Sequence, residues 1–366
     1  MKLCCVFNYP PAYRTSIFKK IDETFDTQFI WAEEIIEGIP CDIKKMNYSI
    51  LKKKPIINKK KLLLGHFEWV TKTHSLPFKD YDYFLITGTG SFSSIPTMLL
   101  CRLFGKKIYG WGHGHKKISG IWKPLIYLQY KLLNGYFTYG EGGRTRLIEL
   151  GISSDKIFAI YNSLCDKVDP QERLSCKSDV IRRHFNNDFP TILFVGRLTK
   201  VKQLDWLIKA KLALKEKGVE YNLLIIGDGP IGKDLHKLVE DNSIDNEVWF
   251  YGECYDENQL NTLIYNSDLC VSPGNVGLTA LHSLMYGTPV LSHDNFELQM
   301  PEYETIIEGK TGSLYKYGSF TDFCNKIELW LKVDKDRDEI RHNCYEMING
   351  KWNSIYQINL LQQVFS

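Results

Sequence analysis

Residues 191–202 read TILFVGRLTKVK, and this stretch decides which fold the sequence predicts. The apolar and β-branched run Thr191–Val195 predicts a buried strand. Gly196 allows the backbone to turn sharply after it, and Arg197 and Lys202 stand five residues apart on the loop. Such a loop can hold a diphosphate, because arginine grips oxygen atoms in a fork and lysine acts as a point charge. Ordinary surface cations are the alternative interpretation.

Two further loops downstream follow predicted strands in the same way. Gly227–Pro230 (GDGP) comes after Leu223–Ile226 and makes a tight turn from strand to helix, which is equally explained by turn chemistry alone. Ser272–Val290 (SPGNVGLTALHSLMYGTPV) ends a strand, passes a glycine loop and begins a helix near Gly277. The free amides of that helix's first turn can bind an anion, and the helix dipole favours this.

The rest of the chain repeats a short apolar run followed by a helical pattern, which predicts parallel sheets covered on both faces. Between residues 166 and 190 the pattern lapses into Asp, Pro, Arg, Ser and Asn, and this predicts a domain boundary. We therefore predict an α/β protein of two Rossmann-like, doubly wound domains that face a cleft, where ligands bind beyond the carboxyl ends of the strands. The predicted strands are Lys2–Phe7, Tyr83–Thr87, Lys107–Trp111, Gly135–Tyr139, Ile157–Tyr161, Thr191–Val195, Tyr221–Ile226, Glu247–Tyr251, Leu269–Val271 and Pro289–Ser292.

The three loops in this order and spacing resemble glycosyltransferase family 4, whose fold is GT-B. The resemblance covers about Thr191 to Gly312 and includes Tyr303–Gly312, which is similar to the family's segment ending in G-x-T-G. It implies a nucleotide-sugar-binding domain over residues 185–350 and an acceptor-side domain over residues 1–168. It also implies that the C-terminal helix, residues 351–366, crosses back onto the first domain.

The resemblance implies a donor site made by the loops of the second domain. Arg197 and Lys202 would stabilise the leaving diphosphate, as catalytic residues. The other residues implied at the donor are Gly196, Asn275, Gly277, Leu278, Thr279 and His282.

One departure from the family concerns the third loop. The family usually has two glutamates separated by seven residues, the first beside the donor sugar and the second on the ribose. Gly274 and His282 stand at those positions. A histidine can still exchange one hydrogen bond with a ribose, whereas a glycine offers no side chain to the sugar.

The first half offers two candidate residues. Trp111–His115 (WGHGH) ends a predicted strand, and the resemblance suggests that a histidine here, His113, approaches the donor sugar or the acceptor hydroxyl. Arg14 lies on the loop after the first strand and could meet a phosphate of the donor or the acceptor, with a plain surface arginine equally open. No carboxylate or cysteine lies near these histidines at metal-ligand spacing, so no metal site is predicted.

The net charge of +3 divides unevenly along the chain. Residues up to Pro170 carry 25 Lys and Arg against 15 Asp and Glu, and the remaining residues carry 21 against 28. The basic half, with Lys116, Lys117 and the aromatic segment Ile118–Leu133, suggests attachment to an anionic membrane surface; solvated lysines over a packed helix are the alternative. Scattered cysteines without a CxxC pair, and Pro10-Pro11 near the start, favour a cytoplasmic protein.

The resemblance thus implies a retaining, metal-independent glycosyltransferase, and the basic first half places it at the inner face of the cell membrane as an expectation. It would move a sugar from a nucleotide-diphosphate sugar to a cell-surface polysaccharide or a lipid-linked oligosaccharide, with no other cofactor and no nucleic-acid partner. Two alternatives stay open: a nucleotide-sugar epimerase of the same fold, and a catalytically inactive subunit that binds nucleotide sugars.

Overall fold

The chain folds into two compact units. One comprises Met1–Asp166 with Asn353–Ser366, and the other comprises Lys167–Trp352. The computed structural model describes residues 1–8, 10–32, 51–63, 67–88, 93–114, 123–332 and 336–366, and only the backbone of residues 61–63, 67 and 68.

The first unit is built on a seven-stranded sheet in which every neighbouring pair of strands is parallel. A separate antiparallel pair, β4 and β5, lies outside that sheet. The strands are β1 (Lys2–Phe7), β2 (Asp26–Ala32), β3 (Ile56–Asn58), β4 (Lys60–Leu63), β5 (Phe67–Val70), β6 (Tyr83–Thr87), β7 (Lys107–Gly112), β8 (Gly135–Thr138) and β9 (Ile157–Ala159). The order in the sheet is β3-β2-β1-β6-β7-β8-β9, with β1 at the switch between the two winding directions.

Helices cover both faces of this sheet, so its strands are buried on both sides. They are α1 (Thr15–Thr24), α2 (Ser94–Leu103), α3 (Lys123–Leu132) and α4 (Glu141–Glu149). On one face Phe7, Phe18 and Trp31 pack as an aromatic cluster. On the other face Met98 of α2 and Leu147 of α4 lie in the second core cluster.

The second unit has a six-stranded parallel sheet in the order β12-β11-β10-β13-β14-β15. Its strands are β10 (Thr191–Val195), β11 (Asn222–Ile226), β12 (Val248–Gly252), β13 (Leu269–Val271), β14 (Val290–His293) and β15 (Gly312–Tyr315). Its helices are α5 (Pro170–Ser175), α6 (Val180–Phe185), α7 (Asp205–Lys215), α8 (Gly232–Asp241), α9 (Glu257–Tyr265), α10 (Leu278–Met285), α11 (Phe320–Lys332) and α12 (Arg337–Lys351).

The last helix, α13 (Ser354–Phe365), belongs to the first unit, although its sequence follows the second. It packs against α1 and contributes Leu361 and Phe365 to the aromatic core cluster. The Ser354 hydroxyl donates a hydrogen bond to Asp166, which also accepts from Ser16 and pairs with Lys20 at 2.9 Å. The carboxylate of Asp166, the last residue of the segment Met1–Asp166, therefore joins the start of α1 to the start of α13.

The predicted strands are all present in the structure, with ends within two residues of those predicted. The region between residues 166 and 190 is not irregular throughout, since it carries α5 and α6. The strands that the sequence pattern did not indicate are β2, β3, β4, β5 and β15.

Candidate functional site

Three loops of the second unit meet at the carboxyl ends of its central strands. After β10, the Gly196 amide donates to the Ile226 carbonyl at 2.9 Å, and the Leu198 amide donates to the Asp228 carbonyl at 2.9 Å. The Gly274 amide, after β13, donates to the Lys202 carbonyl at 2.9 Å. Backbone hydrogen bonds therefore join all three predicted motif loops into one surface, with the β10 loop in the middle.

Glycines make this close contact possible. A Cβ atom added to Gly227 would lie 2.0 Å from the Gly196 carbonyl oxygen, and one added to Gly229 would lie 2.4 Å from that of Leu198. A Cβ atom on Gly274 would lie 2.0 Å from the Val201 carbonyl oxygen and 2.7 Å from the Lys202 Cα. A glutamate side chain therefore has no room at position 274 in this backbone arrangement.

The two predicted cations of the first loop have different surroundings. Arg197 is exposed to solvent. Lys202 is partly buried, and its Nζ donates to the Asn275 carbonyl oxygen at 2.7 Å. Burial lowers the pKa of Lys202, and the buried carboxylate of Glu302 acts in the opposite direction. Lys202 thus joins the first loop to the third and places a positive charge at the surface formed by the loops.

Helix α10 begins at this surface, directly after Gly277. The Thr279 hydroxyl donates to the Val195 carbonyl at 3.1 Å, which fixes the helix start to the end of β10. Within the residues that the structure describes, the amides of Gly277, Leu278 and Thr279 donate to no protein group. Asn275 offers its carbonyl to Lys202, and its side-chain Oδ1 is buried without a hydrogen-bond partner in the described chain.

His282 lies one turn into α10 and is half-buried. Its Nε2 is 2.7 Å from Oδ1 of Asn261 on α9. Burial lowers the pKa of His282 to about 4, so the ring is neutral at pH 7 and Nε2–H donates to the amide oxygen. The sequence analysis did not indicate Asn261, because this residue lies on a helix and belongs to none of the three motif loops.

The first unit brings the other two predicted residues together through Tyr139. Arg14 ends a short 3₁₀ turn (Ala12–Arg14) after β1, and its guanidinium carbon lies 4.8 Å from the Tyr139 ring centroid. His113 follows β7, is exposed, and its ring centroid lies 4.7 Å from that of Tyr139. Arg14 is only 8% exposed, so the alternative of a plain surface arginine is wrong. Tyr139 itself was missed by the sequence analysis.

The aromatic–lysine segment is described only in part. Lys116, Lys117 and residues 118–122 lie outside the described residues. On α3, Lys123 and Lys131 are exposed, whereas Tyr130 is buried in the core of the first unit. Over the described ranges, no helix is both long and apolar enough to span a bilayer, and no cluster of three or more His, Cys, Asp or Glu could hold a metal ion.

Comparison with known proteins connects this loop surface with a family. Residues 178–347 match the family model described as Glycosyl transferases group 1. This range contains every residue of the second unit that we predicted at the donor site, whereas Arg14 and His113 of the first unit lie outside it.

Two curated proteins are similar to part of this chain. A protein of Klebsiella pneumoniae, described as an uncharacterized 41.2 kDa protein in the cps region, is 27% identical over 266 residues, which cover 67% of this chain and 66% of that protein. The alpha-D-kanosaminyltransferase of Streptomyces kanamyceticus is 23% identical over 180 residues, covering 48% of this chain and 45% of the enzyme. The chain therefore spans less than two thirds of the length of either relative.

Solved structures share the fold over the whole chain. Anabaena Alr3699/HepE in complex with UDP superposes with a TM-score of 0.74 at 15% identity, over 100% of this chain and 99% of that one. The lipopolysaccharide outer core galactosyltransferase WaaB gives 0.72 at 17% identity, over 100% and 99%. The architecture of two Rossmann-like units with parallel sheets is thus the GT-B fold.

Proposed function

We propose that this chain is a glycosyltransferase that moves a sugar from a nucleotide-diphosphate sugar to a saccharide acceptor. The observation that carries the proposal is the surface formed by the three loops, which gathers Arg197, Lys202 and the amides before and at the start of α10. Matching of this same region to the Glycosyl transferases group 1 model supports it. The UDP bound by a protein of the same fold supports a nucleoside diphosphate as the group recognised.

The chemistry that these residues would perform is stabilisation of a leaving group. As the bond from the anomeric carbon to the diphosphate breaks, negative charge grows on the phosphate oxygens. Lys202 and the amides of Gly277–Thr279 are fixed donors for that charge before the reaction begins, and preorganised donors lower a barrier most effectively. Lys202 is held by Asn275 and Arg197 is free to move, so we expect Arg197 to adjust to the donor.

We further propose retention of the anomeric configuration, with no metal ion. The acceptor oxygen would attack from the face that the diphosphate leaves, and a departing phosphate oxygen would take the acceptor proton. This route requires no carboxylate beside the sugar. It is therefore compatible with Gly274, where the packing of Val201 and Lys202 leaves no space for a side chain.

His282 would take the place of the family's ribose-binding glutamate. Its Nε2 is engaged with Asn261, so the nitrogen available to a ribose hydroxyl is Nδ1, which is unprotonated in the neutral ring and accepts a hydrogen bond. In the first unit, His113 would approach the acceptor hydroxyl or the donor sugar.

The acceptor would be a growing cell-surface polysaccharide or a lipid-linked oligosaccharide. A lipopolysaccharide galactosyltransferase of the same fold and a relative from a cps region support this class. We propose that the protein works at the inner face of the cell membrane. A surface that suits such attachment is the Leu103 patch, which we define as Phe78, Leu99, Leu103 and Phe104, all exposed on the first unit.

The competing function is that of an inactive subunit that binds nucleotide sugars, which Gly274 favours because the usual glutamate is missing. Thermal stabilisation by a panel of UDP-, GDP-, dTDP- and ADP-sugars identifies the donor under either function. Transfer or hydrolysis of the stabilising donor by the purified chain then separates the two. Binding without turnover would support the inactive subunit, and stabilisation by none of the donors would contradict both.

A further inference from the structure

Arg14 is a buried cation without a counter-charge. It is 8% exposed, and in the part of the chain that the structure describes its guanidinium makes neither an ion pair nor a side-chain hydrogen bond. Buried arginines are almost always paired, because taking a charge out of water costs several kcal/mol unless a partner repays it. The N–H groups of the Arg14 guanidinium therefore have no protein acceptor among the described residues of the first unit.

Aromatic rings surround the guanidinium instead of acids. Its central carbon lies 4.8 Å from the centroid of Tyr139, 5.3 Å from that of Trp111 and 5.7 Å from that of Tyr13. The faces of aromatic rings attract a cation weakly, but they offer no lone pair to the N–H groups in the guanidinium plane. The rings thus orient the guanidinium and leave its charge uncompensated.

The acid that follows Tyr139 along the chain is already engaged. Glu141 accepts a hydrogen bond from the Tyr161 hydroxyl at 2.9 Å and lies 3.7 Å from the Arg144 guanidinium. No ion pair joins it to Arg14 among the described residues. The imidazole of His113, whose ring also contacts Tyr139, supplies no negative charge. The local field therefore favours an incoming anion.

We propose that Arg14, within the ring cage of Tyr13, Trp111 and Tyr139, is an anion-binding site for the acceptor. The site would take a phosphate or a carboxylate group, both of which match the guanidinium fork in a bidentate manner. It lies on the loop after β1, at the carboxyl end of the first unit's sheet, where α/β proteins bind ligands. The proposal rests on the proposed function and adds that the acceptor is anionic.

The contact between His113 and Tyr139 connects this site with the reaction. The ring that lies beneath the guanidinium also touches the imidazole that we propose near the acceptor hydroxyl. An anionic group held at Arg14 would therefore position a neighbouring hydroxyl of the same acceptor close to His113. Arg14 acts here as a binding residue for the acceptor.

The test is a titration with three probes: phenyl phosphate, methyl glucuronide and neutral methyl glucoside. The full-length protein is used with Arg197→Ala and Lys202→Ala, so that the second unit's loops do not contribute phosphate binding. The readout is the ¹⁵N-labelled arginine side-chain NMR spectrum together with a dissociation constant. We expect one or both anions to shift the Arg14 signal, and the neutral glucoside to leave it in place.

Arg14→Gln in this background should weaken binding of the effective anion at least ten-fold, whereas Arg102→Gln, which removes an exposed arginine from α2, should not change it. A preference for phenyl phosphate identifies a phosphorylated acceptor, and a preference for methyl glucuronide identifies an acidic sugar. Equal affinity in the Arg14→Gln and Arg102→Gln variants, or no shift of the Arg14 signal with either anion, would overturn the proposal. Should Arg14→Gln not fold, Arg14→Lys keeps the charge without the fork and should still weaken binding.

This result is independent of the donor experiment. Donor stabilisation depends on the second unit, and the probe titration depends on Arg14 alone. If neither anion binds but the protein turns over a donor, only the proposal of an anionic acceptor is refuted. If an anion binds at Arg14 but no nucleotide sugar is bound or turned over, the proposed transfer is refuted.

Discussion

Arg197 is exposed at the loop surface, and its side chain makes no hydrogen bond or ion pair with the residues that the structure describes. Arg197→Ala should therefore lower turnover at least ten-fold, which corresponds to about 1.4 kcal/mol of transition-state stabilisation, and should leave the melting temperature without donor almost unchanged. Lys200→Ala is the matched control, because Lys200 is an exposed cation on the same loop. Steady-state kinetics with the identified donor is the measurement. Equal turnover in the two variants would contradict the role of Arg197.

Lys202 differs from Arg197 because it also joins two loops. Lys202→Ala should lower turnover and, by releasing the Asn275 carbonyl at 2.7 Å, also lower the melting temperature. Comparing melting curves of the two alanine variants measures this difference. A Lys202→Ala protein as stable as Arg197→Ala would mean that the hydrogen bond to Asn275 contributes nothing to the fold.

His282 should make stability depend on pH. Its folded pKa is about 4, and an unfolded histidine titrates near 6.5, so the unfolded chain binds more protons between these values. The contribution of His282 to the free energy of unfolding is therefore fully present above pH 6.5 and is lost as pH falls towards 4. His282→Gln keeps a donor for Asn261 and should fall less steeply over this range. Melting temperatures of both proteins from pH 4 to 7 test this.

The same substitution series tests the proposed ribose contact. His282→Ala should weaken binding of the free nucleoside diphosphate as well as the whole donor, because the ribose is common to both. His282→Glu introduces a carboxylate that can accept hydrogen bonds from ribose hydroxyls, and it should bind the nucleoside diphosphate better than the alanine variant does. An effect confined to the sugar portion would show that the ribose role is wrong.

The residue scale also shows what a sequence can and cannot predict. Arg14 could be selected as a phosphate contact because it follows a strand, yet its burial depends on Trp111 and Tyr139, which are about 100 residues away. The Asn261 partner of His282 comes from another helix for the same reason. Contacts between distant elements have no local pattern, so the sequence indicates candidate residues and leaves their partners open.

At the scale of elements, the loop after β13 holds its conformation by excluding side chains. Gly274→Glu should lower both the melting temperature and the affinity for the donor, because its Cβ would lie 2.0 Å from the Val201 carbonyl oxygen. Gly277→Ala is the control: its Cβ would lie 3.5 Å from Met300, an ordinary contact, and its amide stays in place. Thermal unfolding with and without donor measures both. A Gly274→Glu protein with higher activity would contradict the steric argument.

The strands that the sequence analysis missed have a shared physical reason. Strand β2 starts with the polar residues Asp26-Thr27-Gln28 directly after α1. Its apolar run Phe29–Ala32 is therefore short and was not recognised as a strand. Strand β15 has only four residues and starts with Gly312. The central strands β10 and β11 are predictable because each carries four consecutive apolar residues, 192–195 and 223–226, in a strand that is almost wholly buried. Edge and mixed strands rely on pairing with neighbours, which a local pattern does not report.

At the scale of the whole molecule, the alternation of strands and helices is enough to predict two parallel-sheet units, since it recurs on either side of a polar stretch. The return of α13 to the first unit was indicated by resemblance and not by its own pattern. Structurally it rests on apolar packing, with the Phe365 ring centroid 5.0 Å from that of Tyr109, and on the hydrogen bonds of Ser354 and Asp166. Such a long-range contact is visible only once the sheet has been built.

The membrane attachment that we propose has a candidate surface in the Leu103 patch. Leu103 is 76% exposed and Phe78 is 65% exposed, and the Phe78 and Phe104 ring centroids are 5.2 Å apart. Large contiguous apolar patches on a protein surface often mark interaction sites. The exposed cations that lie beside these residues in the chain are Lys79, Arg102 and Lys107. The nearby acid Asp80 is paired with Lys2. An anionic bilayer satisfies both the apolar and the cationic parts, whereas a second copy of the same patch would bring like charges together.

We therefore expect the purified protein to sediment with vesicles of phosphatidylglycerol and phosphatidylcholine at low salt and to be released at high salt. Each cation near an anionic leaflet contributes on the order of 1 kcal/mol, so a few of them with the apolar patch suffice for reversible attachment. Leu99→Glu/Leu103→Glu should abolish sedimentation, because it places two carboxylates at the bilayer surface. Leu174→Glu/Leu329→Glu is the matched control, since these leucines of the second unit are 56% and 55% exposed. Binding that is equally weakened in both double variants would show that total charge and not the patch decides attachment. No binding of the unmodified protein at low salt would instead favour an acceptor that is not attached to the membrane.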